Sequence, residues 1–429
     1  MVRAACCRRN QKVLSSMFPL SSLMKKFVTK GTLNVIDAEG MNHVFAGIEG
    51  PEVTIRLHDK SLYRKLTFNP EMTTGEAYMD GTLTFENGSS LKDFLHFFKM
   101  NGEGLSSHPL QKVLRGFSKT FRRFQQSNKK GQVQKHVAHH YDLGNEFFKL
   151  FLDEQMVYTC AYFRNDDETL EQAQRNKLRL AVTKLDLKPG HKVLDIGCGW
   201  GDLALYMASI ADVKVVGVTL SVEQQALATQ RAKKAGLDDR VEFRLQDYRD
   251  VDEKFDRIIS IGMFEQVGIQ HFDEFFKQLN HLMPDDGITL LHSIGHMSPP
   301  GTTSPWFRKY IFPNGYSPSL SEVYESLERN NLWVLDMENL RLHYSKTLIH
   351  WHERFLANRE TVVEMYDERF ARMWEFYLQS AEMVFSTGPN FVFHMQLSRS
   401  RDATPITRDY MVDAQRELEK LEKTLDLNF

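Results

Sequence analysis

Residues 191–207, HKVLDIGCGWGDLALYM, constrain the fold more than any other stretch. Residues 193–196 form a short apolar run that reads as a buried strand, with Asp195 near its end. Gly197, Gly199 and Gly201 follow at every second position, and Leu203, Leu205, Tyr206 and Met207 then open a helical pattern. A strand that turns into a helix through glycines brings backbone close to a ligand, because no Cβ stands in the way. It also aims the free N–H groups of a helix start into the crevice at the strand end. A polar, partly anionic ligand is expected there. A dinucleotide fingerprint would need G-x-G-x-x-G and an acid about 20 residues on. Asp202 occupies the third glycine position, and the next strand runs into Thr219-Leu220-Ser221 with no acid at its tip. A Walker loop is absent as well.

Beyond this loop, strand and helix patterns alternate. Strands are predicted at 192–196, 213–218, 240–245, 256–261, 288–293, 332–339 and 391–397. Helices are predicted at 201–210, 221–235, 271–283, 319–330, over a long region at 351–387, and at 404–425. Strands separated by helices imply an α/β fold with a mostly parallel sheet covered on both faces. A further helix is predicted ahead of the loop, over 170–185, ending before Pro189-Gly190. Residues 1–100 read as a small α+β domain with a basic leader, 101–132 as a basic linker, and 133–429 as the main domain. The linker contains one predicted helix, with Val113, Phe117, Phe121 and Phe124 on one side.

Net charge is only -2, but cations are clustered. Residues 1–30 contain seven Lys or Arg and no acid, and residues 101–140 contain eight with only Glu103 against them. Apolar residues interleave the first cluster: Val13, Leu14, Met17, Phe18, Leu20, Leu23, Met24, Phe27 and Val28. This favours an anionic membrane surface over nucleic acid as partner. No apolar run reaches the roughly 20 residues that span a bilayer, and the leader lacks the pattern of a cleaved secretory signal. Cys6, Cys7, Cys160 and Cys198 have neither zinc spacing nor a disulfide framework. A cytoplasmic protein, peripherally attached to a membrane and without a metal site, is expected.

Asp195-x-Gly197-x-Gly199-x-Gly201, with the acid inside the strand, resembles the nucleoside-binding loop of class I (Rossmann-like) S-adenosylmethionine-dependent methyltransferases. Ordered segments around it resemble the cyclopropane-fatty-acyl-phospholipid synthase family, which includes the mycolic acid cyclopropane synthases. They are His140-Tyr141-Asp142-Leu143-Gly144-Asn145, Tyr158-Thr159-Cys160-Ala161-Tyr162-Phe163, Thr219-Leu220-Ser221-Val222-Glu223-Gln224 and Met263-Phe264-Glu265-Gln266-Val267-Gly268. Tyr310-Ile311-Phe312-Pro313-Asn314-Gly315 and His343-Tyr344-Ser345-Lys346-Thr347-Leu348 complete the series. The resemblance covers residues 136–400 and extends more weakly to Gly75-Glu76-Ala77-Tyr78-Met79-Asp80-Gly81.

The resemblance implies a seven-stranded methyltransferase sheet with a lid for an acyl chain. It implies transfer of the S-adenosylmethionine methyl group to a cis double bond of an unsaturated phospholipid acyl chain, followed by proton loss and ring closure. It assigns the co-substrate to Tyr158, Thr159, Val193, Asp195, Gly197, Cys198, Gly199, Trp200 and Gly201. Thr219, Leu220, Ser221 and Gln224 would lie at the ribose, and Asp247 and Tyr248 at the adenine. A bicarbonate ion would be held by Cys160, Glu265, His292, the backbone N–H of Ile294 and Tyr344. Tyr141, Tyr158, Tyr162, Phe264 and Tyr310 offer aromatic faces to a carbocation. Many family members have His where this chain has Gln266, which cannot titrate near neutral pH. Competing readings are acyl C-methylation giving a methyl-branched or methylene product, an inactive S-adenosylmethionine- and lipid-binding module, and a methyltransferase for nucleic acid or small molecules. A second copy of the chain is a candidate partner.

Overall fold

The structure is a computed structural model that describes residues 17–102, 143–425 and 427. It divides into two compact units, each discontinuous in sequence. The first contains the N-terminal residues together with 302–311 and 355–388; the second contains the remainder of the described chain. The sequence reading placed everything from 133 onward in one continuous domain, so these two insertions are a difference. Tyr141 and the predicted linker helix lie outside the described residues.

In the first unit, strands β1 (Lys30–Ile36), β2 (Asn42–Ala46), β3 (Ile48–Leu57) and β4 (Leu83–Glu86) form a sheet in the order β2-β1-β3-β4. The β1–β3 pair is parallel and the outer pairs are antiparallel. The helix Leu91–Met100 begins at a reciprocal capping box between Ser90 and Asp93, which satisfies donors that the first turn leaves free. The helix Leu20–Phe27 lays Leu20, Leu23 and Phe27 into the core with Leu33, Val53 and Phe94. This removes the apolar residues from Met17 onward as support for the membrane reading of the leader. Met17, Leu20, Leu23, Phe27 and Val28 are core residues of their own unit, while Phe18 is 72% exposed. Burial against protein gives these side chains the same release from water that a lipid surface would. Their interleaving with Lys25 and Lys26 is the ordinary amphipathic pattern of a packed helix.

The long helical region predicted over 351–387 is three helices, His343–Ala357, Arg359–Met365 and Glu368–Ser386. Asp367 starts the last of these by accepting the Phe370 N–H at 2.6 Å, a capping interaction that a continuous helix would forbid.

The second unit is built on seven strands: β5 (Lys192–Ile196), β6 (Lys214–Thr219), β7 (Val241–Leu245), β8 (Arg257–Ile261), β9 (Ile288–His296), β10 (Trp333–Asn339) and β11 (Asn390–Ser398). Their order is β10-β11-β9-β8-β5-β6-β7. The five strands β5 to β9 pair in parallel, and β11 inserts antiparallel between β9 and β10. Alternation along β5 and β6 sends Leu194, Ile196, Val216 and Val218 to one core with the helix Phe272–Leu282. It sends Val193 and Val215 to another core with the helices Leu170–Leu185 and Asp202–Ile210. Strand order reverses between β5 and β8, which opens a crevice at their carboxyl ends, the usual ligand position in such sheets. Among the described residues no helix is long and apolar enough to cross a membrane.

Candidate active site

The glycine loop leaves β5 at this reversal. Gly197, Gly199 and Gly201 all have positive φ, at +83°, +54° and +87°. The N–H groups of Gly197 and Cys198 both donate to Val218 O, at 2.9 and 3.1 Å, so the loop is fastened to the end of β6. The glycines have different reasons to lack a side chain. A Cβ on Gly197 would lie 2.9 Å from Met263 Cβ, and one on Gly201 only 2.6 Å from Phe243 Cζ. A Cβ on Gly199 would meet no atom within 4 Å. Two glycines therefore serve packing, and Gly199 turns bare backbone outward.

Asp195, at the end of β5, is buried and has one oxygen, Oδ2, without a hydrogen-bond partner. Burial and the neighbouring Asp202 raise its carboxyl to about 8, opposed by the charge of Lys177. Lys177 is itself fully buried, and its pKa is pushed down by desolvation while Asp202, Asp153, Cys160 and Asp195 pull it up. Asp202 also supports the buried Arg231, whose Nη1 donates to Trp200 O at 2.9 Å. Asp202, directly after the last loop glycine, thus supplies a counter-charge to two buried cations.

Tyr158 stands in an aromatic wall. Its ring centroid lies 5.1 Å from that of Trp351 and 5.3 Å from that of Phe148, which in turn packs 5.2 Å from Trp200. Tyr344 meets Trp351 edge-on at 5.8 Å. Trp200 Nε1 donates to Asn145 at 2.8 Å, bringing the end of the His140–Asn145 segment onto the loop. The hydroxyl of Thr159 is buried and without a partner. Other aromatic candidates are placed differently. Phe264 stacks at 4.4 Å on Phe272 inside the core, and Tyr162 packs against His343. Tyr310 belongs to the first unit, where its hydroxyl donates to Glu76 at 2.8 Å, joining two of the sequence segments singled out above.

At the co-substrate's predicted far end, Thr219 Oγ1 donates to Gln224 Oε1 at 2.9 Å, and the Gln224 N–H donates to Ser221 Oγ. Leu220 lies between them at the tip of β6. Gln246 N–H reaches Thr219 O, which brings the start of the Asp247–Tyr248 turn beside that tip. Asp247 is already paired with Arg249 at 2.7 Å, and Tyr248 packs edge-on against Phe275.

The predicted anion-holding residues fall on β8, β9 and their neighbours. Glu265 follows β8, is buried, and accepts the Ile294 N–H through Oε1 at 2.6 Å. Its Oε2 is buried without a partner. Desolvation raises its pKa, partly offset by the Ile294 bond. The Ile294 N–H, expected to face an ion, is thus given to Glu265. His292 lies two residues before Ile294 on β9 and so on the same face of the strand. Burial drives its pKa far down, aided by the charges of Lys177 and Lys184. The Cys160 thiol is fully buried and its pKa is pushed up by desolvation, again opposed by Lys177. The adjoining Ala161 N–H donates to Thr347 at 3.0 Å, tying the Cys160 segment to the helix that carries Tyr344. Lys177 therefore acts electrostatically on Asp195, Cys160 and His292 together. Lys177, Lys184, His394 and Trp351 were all missed from sequence. A signal existed for the lysines: they are seven residues apart, on the stripe of the helix Leu170–Leu185 that also carries Leu170, Ala173 and Ala181.

Residues 128–395 match the family described as Mycolic acid cyclopropane synthetase. The chain belongs to that family. It is 41% identical over 334 residues to a cyclopropane-fatty-acyl-phospholipid synthase of Escherichia coli, covering 77% of this chain and 84% of the relative. A solved cyclopropane synthase from Mycobacterium tuberculosis superposes with a TM-score of 0.59 at 32% identity, over 62% of this chain and 98% of that one. A mycolic acid cyclopropane synthase complexed with SAH and CTAB gives a TM-score of 0.59 at 34% identity, over 63% of this chain and 99% of that one. The protein is an S-adenosylmethionine-dependent methyltransferase of the cyclopropane synthase type.

Proposed function

We propose that this enzyme adds a methylene unit across cis double bonds in the acyl chains of unsaturated phospholipids at a membrane surface. The alkene π pair forms a carbon–carbon bond to the methyl group as the carbon–sulfur bond breaks, releasing S-adenosylhomocysteine. The resulting carbocation loses a proton from the new methyl group, and those electrons close the ring. The observation that carries this reading is that the cofactor-type glycine loop packs against the segment after β8, where Gly197 approaches Met263, and that this segment carries the buried, partly unsatisfied acid Glu265 while His292 of β9 pairs in register with Ile261 at the end of β8.

The co-substrate fits this crevice. Gly199 offers unobstructed backbone, while Asp195 Oδ2 and Thr159 Oγ1 are buried polar atoms with no partner in the chain. The aromatic wall of Tyr158 and Trp351 suits a sulfonium and a carbocation, both attracted to ring faces. A weak nucleophile such as an alkene needs such a dry, fixed setting. Bicarbonate fits through Glu265 Oε2, an acceptor for the ion's own hydrogen, with His292 and Tyr344 as donors; the Cys160 thiol donates its one hydrogen to Ala161 O, so Cys160 would line the site without donating from sulfur. When bound, it supplies a base for the departing proton. Ile294 then acts through Glu265, holding that carboxylate in place.

The test is reaction with S-adenosylmethionine and vesicles of monounsaturated phospholipid, followed by proton NMR of the extracted acyl chains. High-field ring protons are expected. A methyl or methylene signal without a ring would refute ring closure and establish acyl C-methylation. No product despite bound S-adenosylhomocysteine would refute the acyl substrate.

A further inference from the structure

We infer that Lys184 and His394 act as positioning residues that hold His292 with its proton on Nε2, giving the site a hydrogen-bond donor of fixed polarity. The inference rests on the reading that His292 helps to hold an anion.

His292 on β9 and His394 on β11 are directly opposed partners in the antiparallel ladder. His292 Nδ1 lies 2.8 Å from His394 Nε2, and His394 Nδ1 lies 3.0 Å from Lys184 Nζ. Lys184 Nζ also donates to Glu338 Oε2 at 2.5 Å. The side chain of Glu338 is 25% exposed, whereas those of Lys184, His394 and His292 are buried. The chain of contacts therefore runs from a partly exposed carboxylate to the buried ring of His292 on β9.

Its direction follows from donor counting. An ammonium has three donors and no acceptor, so Lys184 donates both to Glu338 and to His394 Nδ1. His394 accepts on Nδ1, so as a neutral ring it carries its proton on Nε2 and donates to His292 Nδ1. His292 in turn accepts on Nδ1 and keeps its own proton on Nε2. Burial keeps both rings neutral, and the nearby lysine charges oppose a second proton on either. The opposite tautomer would aim a lone pair from Nε2 at an anion and leave His394 Nε2–H facing an N–H. Gln396 secures the base of the arrangement by donating to Lys184 O at 2.5 Å. Glu265 Oε2 provides an acceptor in the same unit. A fixed donor and a fixed acceptor suit an anion that carries one hydrogen.

The experiment uses full-length enzyme labelled with 15N-histidine, with His292 assigned by its loss in H292Q. Long-range proton–nitrogen correlation identifies which ring nitrogen bears hydrogen. His292 is expected with Nε2 protonated in the native enzyme and in H394Q, since glutamine can accept from Lys184 and donate to His292. In H394L both tautomers are expected, with kcat about tenfold lower, while H394Q stays within about threefold of native. S-adenosylhomocysteine affinity should be unchanged in both. A native His292 protonated on Nδ1 overturns the inference, as does an unaltered tautomer in H394L; if H394L does not fold, the native and H394Q spectra decide. A reversed tautomer with product formation intact overturns this inference alone. The expected tautomer with turnover indifferent to bicarbonate depletion overturns the reading of the anion alone.

Discussion

Gly199→Ala and Gly201→Ala should separate binding from stability. At Gly199, φ is +54° and an added Cβ meets nothing within 4 Å. The cost is then conformational only, about 1–2 kcal/mol for an L-residue in the left-handed region. At Gly201, φ is +87° and the Cβ would sit 2.6 Å from Phe243 Cζ and 3.0 Å from Ala228 Cβ. Backbone strain of about 1–3 kcal/mol is joined by overpacking of about 1–3 kcal/mol. Phe243 and Ala228 belong to a buried core, so neither can retreat freely. Gly201→Ala should therefore be the less stable by about 1–4 kcal/mol, lowering the transition by about 2–4 °C per kcal/mol in a domain of this size. Ligand binding should rank the pair differently. If the co-substrate approaches Gly199 as proposed, the new methyl overlaps it, and an overlap worth about 1–3 kcal/mol weakens binding roughly 5- to 100-fold. Scanning calorimetry gives the first ranking, and titration calorimetry with S-adenosylhomocysteine gives the second. Native-like binding by Gly199→Ala, or unfolding as early as Gly201→Ala, would refute the division between a ligand-facing and a packing glycine.

Glu265→Gln should keep S-adenosylhomocysteine affinity and lower kcat by about 100-fold or more; near-native turnover would remove Glu265 from the chemistry. Asp195 should make stability fall with pH. Its folded carboxyl titrates at about 8 against 3.8 in the unfolded chain, so its contribution is complete below 3.8 and is lost as pH rises through 8. Asp195→Asn lacks this loss and should gain on native enzyme across that window, by at most about 1.4 kcal/mol per pH unit. Parallel denaturation curves at pH 5 and pH 8 would contradict the burial argument. Deleting residues 1–16 should weaken flotation on anionic vesicles while sparing the core residues Leu20, Leu23 and Phe27. Unchanged flotation would eliminate the basic leader as the membrane contact.

What could be read from sequence was local. The seven strands and the helix Leu170–Leu185 follow from hydrophobic period, and the loop follows from glycine spacing. The three-way break of the predicted long helix was less visible, because the apolar pattern persists across Asn358 and Asp367 while the backbone restarts at a cap. The apolar face of the leader was open to two readings for a related reason. Amphipathic spacing specifies an apolar face without specifying what covers it, and Leu20, Leu23 and Phe27 found their cover within the chain.

The site divides in the same way. Cys160, Glu265 and His292 sit in recognisable local segments, but their chemical state is set by residues distant in sequence. Lys184 and His394 are 210 positions apart, and His292 and His394 are 102 apart. Only the antiparallel insertion of β11 beside β9 brings the two rings together. A buried lysine on an otherwise apolar stripe was the one local sign of this arrangement. Burying a cation is costly unless it is paired, so a lysine in a core register implies a remote acceptor. Here Lys184 has Glu338 and His394 as acceptors, and Lys177 has the field of Asp202, Asp153 and Asp195. Lysines in the core stripe of a helix packed under such a sheet are therefore signs of the site's electrostatics, even though neither falls in one of the short motifs singled out in the sequence.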